Sequence, residues 1–221
     1  APAGTAYNDQ SVLRSDGALD VEALASALSS VVERHEVLRS AFVDADGVPV
    51  QRVEPATGLS LARLDLSALA ESLATQRLEE AIRDDAATAF DLASGRPLRA
   101  MLVRLAEDRH VLVFNWHHIV TDAWSLSIVV DEIAALYAAV RGGHAARLPA
   151  VQIQYGDYAE WVHQQMEGER LSSQLAYWRG ALKDAPQRVP LPAPTRAVPP
   201  EEAWRSGGVL PATTGAALAA L

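Results

Sequence analysis

Apolar residues recur at Val21, Leu24, Leu28, Val31, Val32 and Leu38, a spacing of three, four and seven that draws one stripe along a helix, with Asp20 placed to cap its start. Upstream, residues 11–15 alternate weakly and end in Asp16-Gly17, which reads as a short strand closing in a turn. Ala41-Phe42-Val43 and Val48 to Val53 flank Asp44-Ala45-Asp46-Gly47, the composition of a hairpin loop that needs positive φ. Leu59 to Leu66 alternates as a further strand, and Glu71 to Phe90 carries Leu73, Leu78, Ile82 and Ala86 on one face of a solvated helix. Two apolar runs, Leu98 to Leu105 and His110 to Trp116, joined by Ala106-Glu107-Asp108-Arg109, predict a hairpin at the centre of a sheet. Helical patterns follow over Leu126 to Val140, which stops at Arg141-Gly142-Gly143, then Tyr155 to Met166 and Arg170 to Leu182. Arg188 to Pro200 is too rich in proline for a helix and reads as an extended linker. Strands and helices in this order predict a mixed α/β fold, helices packed on a largely antiparallel sheet.

Composition narrows the chemistry. The chain has 221 residues, 49% of them apolar and 21% charged, the profile of a globular protein. It contains no cysteine, which removes disulfides, thiolate metal sites and thiol nucleophiles. A net charge of −9 with no basic run argues against nucleic acid as a partner, and no apolar run reaches the length of a membrane span. Ala1-Pro2-Ala3-Gly4 lacks both an initiator Met and a secretory signal, and the chain stops inside the apolar pattern 216–221, so it is expected to be part of a larger polypeptide.

The chemically informative segment is Asn115-Trp116-His117-His118-Ile119-Val120-Thr121-Asp122-Ala123-Trp124-Ser125. Successive strand residues face opposite ways, so only one of the paired histidines is expected to meet a substrate. Opposed neighbours cannot share one metal ion without a sharp bend, and no G-x-S-x-G supplies a hydrolase nucleophile. What remains is an imidazole used as a base or positioning group, a side chain that titrates near neutrality.

His117-His118-Ile119-Val120-Thr121-Asp122 with Trp124-Ser125 resembles the H-H-x-x-x-D-G-W-S signature of condensation domains of nonribosomal peptide synthetases, members of the chloramphenicol acetyltransferase-like superfamily. Three other blocks agree in order: Arg34-His35-Glu36-Val37-Leu38-Arg39-Ser40-Ala41-Phe42, Phe90-Asp91-Leu92-Ala93-Ser94-Gly95-Arg96-Pro97-Leu98-Arg99 and Tyr155-Gly156-Asp157-Tyr158-Ala159-Glu160-Trp161. Together they span about residues 6 to 182. Family members are two similar lobes, and this chain resembles the first: residues 1–187 as the lobe and 188–221 as the crossover toward a second.

The resemblance implies peptide-bond formation between aminoacyl or peptidyl thioesters carried on the phosphopantetheine arms of upstream and downstream carrier domains, beside an adenylation domain, in the cytoplasm. No cofactor or metal is bound by the domain itself. His118 would act on the attacking amine, either by removing a proton or by holding it through a hydrogen bond. The resemblance makes His117 a packed inward histidine and Asp122 a structural acid held by an arginine, Arg34 first and Arg39 second. Trp124 is expected to pack, and Ser125 to cap a helix beginning at Leu126. Tyr155 and Trp161 are expected to support the site by helix packing. Ala123 replaces the family glycine, a substitution that strains the backbone only if φ is positive there. An epimerising or related acyltransferase domain, or a non-catalytic domain recruiting a partner, are the alternatives. The chain by itself, with one wall of the inter-lobe tunnel, is expected to be inactive.

Overall fold

The computed structural model describes residues 4–186, and the chain divides into two compact units, Ala1–Glu167 and Gly168–Leu221. The proline-rich segment falls outside the described residues. In the first unit a four-stranded sheet has the order β1 (Asn8–Asp16), β6 (Arg109–His117), β5 (Leu98–Ala106), β4 (Leu61–Asp65). The β4/β5 pair is parallel, and the other two pairs are antiparallel. The strong hairpin read from the sequence is therefore the pair of inner strands. The second hairpin, β2 (Ser40–Ala45) with β3 (Val48–Val53), forms a two-stranded sheet of its own. Its loop uses Asp46 at φ 55° and Gly47 at φ 85°, as the Asp-Gly pair anticipates.

Strand alternation splits the core between the two faces of the sheet. Leu98, Ala100, Leu102, Phe114 and Trp116 pack with α1 (Val21–Arg34) and α3 (Ala123–Gly142), while Val103, Val111 and Val113 pack with α2 (Glu71–Ala86). Leu24, Leu28, Val31 and Val32 form the buried stripe of α1, each such side chain contributing on the order of 1.5–3 kcal/mol. On length and composition α3 is apolar enough to span a membrane, with mean hydropathy 1.5; one face of it lies on α1 and carries a buried carboxylate, Glu132.

Two helices end earlier than their apolar pattern. His35 takes an extended backbone that stops α1 at Arg34, and Glu36–Arg39 forms a separate 3-10 turn that still buries Leu38. α2 ends at Ala86, where sheet residues take up carbonyls of its last turn: Asn8 donates to Ala86 and, just beyond the helix, to Thr88, Gln10 to Ile82, and Asn115 to Asp85. Phe90 lies beyond the helix and is buried. α4 (Tyr155–Gln165) completes the first unit. The described part of the second unit is built on α5 (Gly168–Ala181), on which the rings of Tyr177 and Trp178 meet edge to face at 5.2 Å.

Candidate active site

The paired histidines end β6. Odd-numbered residues of β6 face α2 and even-numbered ones face α1 and α3, so the chain delivers His117 to the α2 face. There it is buried, with the Tyr7 ring 5.9 Å away and the Phe90 ring edge-on at 6.3 Å. Its Nδ1 accepts the Ile119 N–H at 3.1 Å, which leaves any neutral-ring proton on Nε2. Burial first, and the neighbouring His118 second, push the His117 pKa below the ordinary imidazole value. A neutral ring is what that hydrogen bond needs.

His118 is exposed. Its backbone is nevertheless fixed, because four successive N–H groups are all spent. His117 donates to Pro97 O at 2.9 Å, His118 to Tyr7 O at 2.8 Å, Ile119 to His117 Nδ1, and Val120 to His117 O at 3.0 Å. The Tyr7 bond extends the β1/β6 ladder one step past the Asn8–His117 pair. A solvent-facing imidazole on a hydrogen-bonded turn can accept a proton or a hydrogen bond from an approaching amine.

The block Phe90 to Arg99 supplies the support beneath, a role that its sequence match alone does not reveal. The Arg99 guanidinium lies 3.9 Å from the Phe90 ring centre and is held by Asp85 through Nε at 3.0 Å. Phe90 in turn packs on His117. Gly95 has φ 71°, and a Cβ there would sit 2.6 Å from Glu54 Cγ, so this position requires glycine to bring Pro97 O to the histidine strand. A cavity of about 730 Å³ is lined by Leu38, Arg39, Glu54, Phe90 and Arg99 among others, but not by His118. It borders the supports of the histidine turn rather than the exposed imidazole, and the hydrogen-bonded turn is the better guide to the chemistry.

Among the described residues, Asp122 does not pair with an arginine. It is the N-cap of α3, its Oδ1 accepting the Ser125 N–H at 2.8 Å and the Ser125 hydroxyl at 2.7 Å. The free N–H groups of a helix start compete for a nearby carboxylate, and here they take it. The Ser125 hydroxyl, then its backbone N–H, hold the Asp122 carboxyl below the usual carboxylate range. The expected roles are thus exchanged: Asp122 caps, α3 begins at Ala123, and Ser125 is the donor. Ala123 adopts helical backbone, and no positive φ occurs there, so the missing glycine costs nothing.

Arg34 is engaged elsewhere. Its Nε meets Glu132 Oε1 at 3.0 Å and its Nη2 donates to Pro149 O, while His35 Nε2 meets Glu132 Oε2 at 2.6 Å. Arg39 donates to Glu54 O at 2.6 Å and lies 3.6 Å from Glu36. Trp124 is 78% exposed rather than packed. Tyr155 and Trp161 each contact Tyr158, at 6.1 and 6.0 Å, and all three are about half exposed, a ladder along α4 rather than a core face. Glu132 went unassigned in the sequence, although it stands at the third position after Val129 and just before Ile133, on the buried stripe of α3. An acid on an apolar stripe is the signal that marks it.

A sequence model of the condensation domain family matches residues 1–208. The chain is 38% identical over 217 residues to a linear gramicidin synthase of Brevibacillus parabrevis, covering 97% of this chain and 3% of that protein. Among solved structures it resembles the X-domain solved with OxyB from teicoplanin biosynthesis, with 31% identity, TM-score 0.75, and 87% of this chain against 42% of that one. SgcC5 of Streptomyces globisporus gives 32% identity and TM-score 0.69, covering 81% and 40%. The chain thus spans a few per cent of the synthetase it matches and about two fifths of the solved chains. With the double-histidine turn and its supports in place, the chain belongs to the condensation domain family, of the chloramphenicol acetyltransferase-like fold.

Proposed function

We propose that the chain is the histidine-bearing lobe of a two-lobed domain that joins carrier-bound aminoacyl or peptidyl thioesters through an amide bond. The observation that carries this reading is the contrast between two neighbours: His117 buried and hydrogen-bonded, His118 exposed on a turn whose N–H groups are all occupied. In the reaction the acceptor amine nitrogen attacks the donor thioester carbonyl carbon, the C–N bond forms, the C–S bond breaks, and the amine proton ends on the departing thiolate. His118 accepts or orients that proton, worth roughly 10²–10⁴ in rate, and alignment of two tethered reactants supplies the rest. The phosphopantetheine arms belong to partner carrier domains, beside an adenylation domain of the same cytoplasmic synthetase.

A second reading is recruitment of a partner protein without catalysis, favoured by the likeness to the X-domain solved in complex with OxyB. Single-turnover dipeptide formation by the two-lobed domain separates the two. His118→Ala should slow it at least 100-fold with thermal stability unchanged. An unaltered rate would leave the recruiting role as the better account.

A further inference from the structure

We propose that Glu132 is a positioning residue for the His118 turn, acting through α3; this rests on the reading of His118 above. The turn has two anchors. On one side it leaves the sheet, where the carbonyls of Tyr7, just before β1, and Pro97 hold it. On the other it runs into Asp122 and the first turn of α3, so the pose of that helix sets the pose of the turn. Leu126, Val129, Ile133 and Leu136 of α3 belong to the apolar cluster shared with α1, and such smooth side chains permit small sliding motions.

Glu132 removes that freedom. Its two oxygens are taken by different residues at the end of α1, Oε1 by Arg34 and Oε2 by His35. The side chain is 10% exposed, so an oxygen without a partner would be costly, and only one axial setting of α3 fills both. The same α1 end is fastened further: the Arg34 carbonyl accepts Gln154 Nε2 at 3.0 Å, and Gln154 Oε1 accepts the Glu36 N–H at 3.2 Å, tying in the start of α4. Glu132 follows Asp122 by ten positions, about 15 Å along a helix that transmits its register as a rigid rod. Arg34 and His35 therefore reach the site indirectly, through Glu132 rather than through Asp122.

The test is a double-mutant cycle in the two-lobed domain, with ring and amide NMR of the 221-residue chain. Glu132→Gln keeps the shape, removes the charge and faces its amide toward donors. Expected results are roughly tenfold lower kcat, unchanged KM for the acceptor, no further loss in a His118→Ala background, and displaced His118 ring and residue 119–122 amide signals. Glu79→Gln, on the exposed face of α2, should move none of them. Equal slowing in both backgrounds, an unchanged rate, or signal changes confined to residues 34–36 and 149–154 would overturn the proposal. Should Glu132→Gln not fold, His35→Gln, which spares the Arg34 arm, carries the same measurements. An innocuous His118→Ala combined with displaced ring signals would refute the catalytic reading and leave the structural link standing.

Discussion

One step along β6 separates two histidines into opposite surroundings, one against Tyr7 and Phe90, one in water. That separation has a titration consequence for His117. In the unfolded chain its imidazole takes a proton near pH 6.5. In the folded chain, burial and His118 lower the value. Between those two values the unfolded state binds more protons, so stability is full above about pH 6.5 and falls as the solution is acidified toward the folded value. His117→Gln retains an acceptor for the Ile119 N–H and abolishes the titration. Its melting temperature should therefore change less between pH 7 and 5 than that of the parent, as scanning calorimetry would show. Parallel pH curves for the two proteins would refute the burial argument. The adjacency of the histidines and the strand's two-residue period made their opposed fates readable from sequence. The aromatic clamp was not readable, because Tyr7 and Phe90 reach His117 from distant positions that no local period records.

At the scale of elements, the start of α3 is where the sequence reading was three residues late. Asp122 and Ser125 are both good capping residues, and local pattern does not choose between them. The structure chooses Asp122, whose carboxylate also meets the positive end of the helix dipole. Ala123 is then an ordinary first helical residue. Ala123→Gly should cost up to about 1 kcal/mol in denaturant unfolding and leave amide formation unchanged, since no backbone strain is relieved. A gain in stability or rate would mean that the turn wants a glycine after all. The arginine assignments failed for a related reason. Arg34 and Glu132 stand 98 positions apart, and only the packing of α1 on α3 brings them together. The acid itself was visible on the stripe, but its partners were not.

Across the whole molecule, the sheet order β1-β6-β5-β4 places the histidine strand between an outer strand whose preceding 3-10 turn lends Tyr7 O and an inner one whose leading loop lends Pro97 O. The long periodic segments and the central hairpin made this layered arrangement legible, whereas the parallel β4/β5 pairing and the detached β2/β3 hairpin depend on long-range contacts. Everything converges on presentation of a single imidazole from a rigid turn. Diethyl pyrocarbonate labelling of the two-lobed domain, followed by peptide mass spectrometry alongside the single-turnover rate, tests this most directly. His118 should be modified quickly while His117 stays protected, and the rate should fall in proportion to the modified fraction of His118. Equal labelling of the two histidines, or full activity after complete modification of His118, would contradict the account.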